Sequence, residues 1–182
     1  MDRSAALVRL LAGDQAEDRG VLAGEPAWVA LRERDRARRE AVMELLADGW
    51  PEEANALYAA AWILNHGDLT GEAALGSRLA TRAAGLGHPG ARWLAAAALD
   101  RSLMYSGQAQ KYGTNIVPDG VGWRLWDVDP ATTDAERIAH EVPPLAEMQA
   151  RAAAITTPQP DMAGAPESLR RAMRRWGTLP EA

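Results

Sequence analysis

Residues 100–114 read DRSLMYSGQAQKYGT, which places a carboxylate, a guanidinium, amides, an ammonium, a phenol and hydroxyls at the end of an Ala-rich run. A mixture of this kind suits acid/base chemistry on a small polar molecule. Asp100 and Arg101 are adjacent, so on a helix they point about 100° apart and each needs its own partner. On the functional reading, Arg101 grips an anionic group through its planar fork while Asp100 acts as base or orienter. On the structural reading, both join a salt-bridge network with Arg34, Asp35 and Arg36, because an unpaired buried charge is very costly. Gln108, Gln110, Tyr112 and Thr114 bring amides and hydroxyls, which orient a ligand more than they react with it. Gly113, between two hydroxyl side chains, permits close backbone approach.

A second constellation lies upstream. Asn55, Tyr58, Trp62 and His66 are spaced 3, 4 and 4 apart and share one face of a helix. Imidazole is the side chain best suited to proton transfer near neutral pH, which makes His66 a candidate acid/base group. The same residue equally suits a helix C-terminus, where the dipole favours a cation. Asp68 is placed to pair with His66, to ligate a metal, or to cap the next helix; capping is the expectation carried forward. Ser102 and Ser106 lie in no nucleophile motif, and neither G-x-S-x-G nor H-E-x-x-H occurs. The glycine spacing matches neither a dinucleotide fingerprint nor a P-loop.

Composition narrows the chemistry. The chain has 182 residues, the length of one domain, with no cysteine and only three histidines, His66, His88 and His140. Disulfides, thiolate nucleophiles and Cys-type zinc sites are therefore excluded, and no cofactor or metal is expected. Net charge is −5 and Lys111 is the only lysine, which argues against general nucleic-acid binding. No apolar run approaches the roughly 18 residues of a membrane span, and no signal-type stretch opens the chain. A soluble cytoplasmic protein is the expectation. There are seven Trp and no Phe, so each Trp either takes the core role of Phe or lines a pocket.

The elements that must position these groups read as helices punctuated by Gly and Pro. Helices are expected over about 3–12, 26–48, 51–67, 70–84 and 89–105, with Gly49 and Gly107 as stops. Pro51 is expected at the first helical position of the third. The period then changes: residues 114–129 hold Pro118-Asp119-Gly120 between alternating apolar positions and read as a β-hairpin. Thr133 and Glu136 form a capping box that opens another helix, and Pro143-Pro144 opens one to about 155. Residues 156–166 read as a Pro/Gly-rich linker. A last helix over 167–176 carries Arg170, Arg171, Arg174 and Arg175, with Leu169, Met173 and Trp176 spaced to pack on the protein's own body or a partner.

Several segments together resemble a bacterial family of unknown function, DUF6624. They are Gly49-Trp50-Pro51, residues 60–67, Asp100-Arg101, residues 110–114, and Pro143-Pro144-Leu145 after Arg137. Asp14-Gln15 and Asp18-Arg19 are similar to its first helix. The likeness covers roughly residues 5–150. Asn65 and Asn115 stand where the family pattern has Gln, shortening the reach of both amides. The resemblance implies that His66, Asp100, Arg101, Gln110 and Tyr112 converge in space, and it supplies no reaction.

The expectation is thus a mainly α, single-domain helical bundle with a small β-hairpin, divided as 1–155, linker 156–166 and Arg-rich tail 167–182. A polar pocket would be lined by His66 and Asp100 as catalytic groups and by Arg101, Gln110, Tyr112, Thr114, Trp62 and Tyr58 as substrate-binding groups. Such a set suits a metal-independent enzyme performing hydrolysis or a proton-transfer rearrangement on a small polar or anionic substrate. The alternative is a non-catalytic binding or interaction module in which the polar motif is a structural network. Whether the protein is a homo-oligomer is left open.

Overall fold

The computed structural model describes residues 2–20 and 26–179. Among them are eight α-helices and one two-stranded sheet, as the hydrophobic periods lead one to expect. Helices α1 (Arg3–Gln15), α2 (Pro26–Leu46), α3 (Ala54–Asn65), α4 (Thr70–Gly85) and α5 (Ala91–Tyr105) form the bundle. The strands β1 (Ile116–Pro118) and β2 (Trp123–Leu125) follow, then α6 (Asp134–Ala139), α7 (Leu145–Ala153) and α8 (Glu167–Trp176). None of the described helices is long and apolar enough to cross a membrane.

Helix α3 is the hub. Leu57, Ile63 and Leu64 are buried on it, and Leu7, Val42, Leu79 and Leu94 from the other four helices close around them. Small residues let the backbones approach. A Cβ on Gly76 of α4 would stand 3.1 Å from the Ala61 carbonyl oxygen and 3.5 Å from Leu64 Cβ. Pro51 does not open α3. It is buried in the preceding turn, and Glu53 is the N-cap residue. Asp68 does not cap α4 either: the N-cap is Leu69, with no side-chain cap bond, and Asp68 is drawn instead to Arg32.

The hairpin pairs antiparallel, with Ile116 opposite Leu125 and Pro118 opposite Trp123. Asp119 closes its turn by accepting from the amides of Val121 and Gly122 (2.9 and 2.7 Å). A lone hairpin is marginal in water; this one is covered. Leu125 packs with Ala96, Tyr112, Val142 and Met148, and Val117 and Trp126 pack with Ala172 of α8. The apolar face of α8 therefore docks on its own body: Ala172 and Met173 are buried, Trp176 meets Trp126 edge-on at 5.6 Å, and Arg124 lies over the Trp176 ring at 4.1 Å. Asp127 ties the helix down through Trp176 Nε1 and Arg175, both at 2.7 Å.

Candidate functional site

The residues singled out in the sequence do not gather in one pocket. They fall into two polar clusters and a pair of outliers.

Asp100 heads the first cluster. The carboxylate is fully buried and accepts four hydrogen bonds: from the amides of Lys111 (2.7 Å), Tyr112 (2.8 Å) and Thr114 (3.0 Å), and from Thr114 Oγ1 (2.8 Å). Burial pushes its carboxyl pKa up, opposed by the amides and hydroxyl it accepts from, and the net shift is upward. Gln110, also fully buried, is closed in the same way. Its Nε2 donates to the carbonyls of Asn115 (3.2 Å) and Trp126 (3.0 Å), and its Oε1 accepts from the Asn115 amide (2.8 Å). Its backbone bridges Asp127 and Asp129 at 2.8 Å each. Together Asp100 and Gln110 replace a regular strand ladder with side-chain acceptors and donors, and so pin residues 110–116 between α5 and the hairpin. On the structural reading Asp100 would have met the Arg34–Asp35–Arg36 stretch; backbone amides and the Thr114 hydroxyl satisfy the carboxylate instead.

Tyr112 leads away from this network. Its hydroxyl meets His140 Nε2 at 3.1 Å, and His140 Nδ1 lies 3.0 Å from the Glu136 carbonyl oxygen. Tyr58 is likewise apart, stacked on His88 with ring centroids 4.0 Å apart. Arg137, buried, clamps the loop from below through the carbonyls of Tyr112 (3.0 Å) and Thr132 (2.8 Å).

The second cluster is built on His66. Its partner is Asp14 from the end of α1, with Nε2 3.5 Å from Oδ2. The Asp14 side chain is 1% exposed, whereas that of His66 is 22% exposed. Nε2 itself is buried and makes no aligned hydrogen bond, so the solvent-reachable part of the ring is its other side. Trp62, one turn before His66, donates Nε1–H to the same Asp14 oxygen at 3.2 Å and sets its ring edge-on to the imidazole. Arg19 bridges Asp14 and the buried Asp35, reaching Asp35 at 3.0 and 3.2 Å, and Arg38 stands 3.3 Å from Asp35. Burial alone raises the Asp14 carboxyl, but His66, Arg19 and Arg38 outweigh it and hold the group below its ordinary value, so it is ionised at neutral pH.

His66 is also the C-cap residue of α3, and carbonyls at a helix C-terminus lack helical partners. Arg101 donates to the Asn65 carbonyl, Arg32 and Arg39 to that of His66 (3.2 and 3.4 Å), and Tyr105 to that of Gly67 (3.0 Å). Cations at the negative end of a helix dipole are favourable. Arg101 thus spends one of its guanidinium nitrogens on backbone. Burial lowers its pKa, and its Nε has no partner.

Asp14, Arg19, Asp35 and Arg38 were not picked out from sequence as site residues. Asp35 carried a readable signal. It sits four residues after Leu31 and seven before Val42, a charge set within the buried stripe of α2. Among the described residues no three His, Asp or Glu side chains gather as a metal site.

The molecule is thus a mainly α protein with a small hairpin, holding a solvent-reachable histidine against a buried, arginine-supported carboxylate. Compared with known proteins, the chain matches no family model, no curated protein and no solved structure.

Proposed function

We propose that the protein is a small-molecule enzyme in which His66 moves the proton and Asp14, rather than Asp100, orients it. The observation that carries this reading is the Asp14–His66 approach, with Asp14 anchored by Trp62 and Arg19. An ionised carboxylate facing Nε2 favours the tautomer with its proton there, leaving the Nδ1 lone pair for a substrate. The 3.5 Å separation is close enough for a hydrogen bond to form as substrate binding tightens the contact. The substrate is a small polar or anionic molecule, and the chemistry is hydrolysis or a proton-transfer rearrangement.

The test is a panel of carboxylic ester, lactone and phosphate ester substrates, assayed with the parent, His66→Ala and Asp14→Asn. The expected result is turnover in the parent and its loss in His66→Ala with an unchanged circular dichroism spectrum. Undiminished turnover in His66→Ala overturns the reading.

A second reading, a non-catalytic binding module, draws on the closure of Asp100, Gln110 and Thr114 on one another. It predicts no turnover in the parent and no functional consequence of His66→Ala.

A further inference from the structure

A cavity of about 820 Å³ opens between the start of α2, the turn after α3, strand β1 and the chain that leads into α8. Trp28, Pro118, Met162 and Leu169 give it mostly apolar walls, and Arg32 and Asp68 stand at one side. Trp28, Arg32 and Asp68 also line a second cavity of about 270 Å³, whose remaining wall carries Arg36 and Arg39. The shared residues form a common wall, so an apolar chamber lies beside a cationic one. Arg32, Arg36 and Arg39 recur at helical spacing, so one face of α2 presents all three.

These arginines differ in what holds them. Arg39 is buried, near Glu72 at 3.1 Å, and bonded to the His66 carbonyl. Arg32 shares that carbonyl, stands 3.6 Å from the buried Asp35, and is paired with Asp68, whose side chain is 64% exposed. Arg36 is exposed and makes no ion pair or hydrogen bond among the described residues. One free guanidinium therefore stands beside another that has one solvated, cheaply exchanged carboxylate partner as well as a buried one. The larger volume falls in the range of small-molecule sites, which combine apolar walls with a few orienting polar groups. Glu33, also on the lining, opposes a second negative group on the ligand.

We infer that this cleft binds a small amphipathic monocarboxylic acid, with its apolar body beside Trp28 and Leu169 and its carboxylate on Arg36 and Arg32. The planar guanidinium fork matches a carboxylate in two parallel hydrogen bonds. The site is separate from the His66 reading: the His66 side chain lines neither cavity, and Arg32 and Arg39 touch only its carbonyl.

The test is nitrogen-15 NMR of the whole chain, following the Trp28 indole signal, identified by its loss in Trp28→Phe. The probes are 2-naphthoate and decanoate, with their neutral amides as controls. The expected result is a saturable shift at Trp28 with at least one acid and affinity about tenfold lower for the matching amide, as for loss of a charge-assisted hydrogen bond. Arg36→Gln should weaken the acid about tenfold and leave the amide unchanged. Ala165→Trp, filling the chamber from the linker side, should abolish both, and His66→Asn should alter neither. No saturable shift at Trp28 with either acid overturns the site. Equal affinity for acid and amide overturns the carboxylate assignment.

Discussion

Replacing Asp100 with Ala strands three backbone amides and one hydroxyl that now share its two oxygens. The Tyr112 amide is buried, while Lys111 and Thr114 belong to partly exposed residues where water can substitute. A buried donor left unsatisfied costs about 1–3 kcal/mol, and one relieved by water costs far less. Counting the Tyr112 amide fully and the others in part gives a loss of about 3–5 kcal/mol, in line with removal of one partner from a buried charged contact. For a chain of this length that lowers Tm by roughly 6–20 °C. Asp100→Asn is the sharper variant. Oδ1 serves Lys111 and Tyr112, and Oδ2 serves Thr114 twice, so an amide nitrogen at either position meets a backbone N–H head-on. The Thr114 hydroxyl can turn to accept, but the Thr114 amide cannot. Asp100→Asn should therefore fall between the parent and Asp100→Ala, at about 2–3 kcal/mol. Urea unfolding followed by far-ultraviolet circular dichroism measures both. If Asp100→Ala lies within about 1 kcal/mol of the parent, the claim that this carboxylate holds residues 110–114 in place fails.

Gln110→Ala removes both carbonyl donors and the acceptor for the Asn115 amide, and should cost about 2–4 kcal/mol, with amide exchange at Asn115 accelerated ahead of global unfolding. Asp127→Ala frees the end of α8; because Asp127 is over a third exposed, the loss is about 1 kcal/mol, read out as faster proteolysis within residues 156–166. Burial raises the Asp127 carboxyl, but Arg175 and Trp176 outweigh it and the folded value lies below the ordinary 3.8. Its contribution is therefore full above that value and lost as pH falls through the folded one, so acid should loosen α8 in the parent and change nothing further in Asp127→Ala. In α4, Gly76→Ala should destabilise by about 1–2 kcal/mol despite a better helix former, since its Cβ would press on the Ala61 carbonyl. Gly71→Ala, with nothing within 4 Å, should stabilise by up to about 1 kcal/mol; chemical denaturation of the pair checks both.

What the sequence disclosed followed from local rules. Pro166 before α8 and Gly177 after it, in a left-handed conformation at φ 72°, mark that helix at both ends, and its bounds agree with the expectation. The Thr133–Glu136 capping box forms as read, because both partners lie within one turn. Pro51 misled because a fixed φ suits a buried turn as well as a first helical turn. In the site, helical spacing correctly set Trp62 beside His66. It could not say which carboxylate they meet, since that depends on how α1 crosses α3, and the partner is 52 residues away from His66 at Asp14. The feature that made Asp100 look reactive also explains its hydrogen bonds: a charge on an Ala-rich helix must find several partners, and backbone amides eleven to fourteen residues ahead supply them.

The C-terminus of α3 links these observations. Its last carbonyls carry the negative end of a dipole into the middle of the bundle, where water cannot easily answer them. Arg32, Arg39, Arg101 and Tyr105 answer them instead. Three buried or half-buried guanidiniums gathered at one helix end need counter-charges, and Asp35, Asp68 and Glu72 stand within 4 Å of Arg32 or Arg39. The helix end that turns the His66 imidazole towards Asp14 therefore also holds Arg32 at the mouth of the cleft. Mutating Asp68 should expose the difference between these duties. It lies on the exposed side of Arg32, so Asp68→Asn should raise the affinity of the cleft for a carboxylate while leaving the Asp14–His66 approach undisturbed. An equal effect on both would mean that the arginines cap the helix and arm the cleft as one unit.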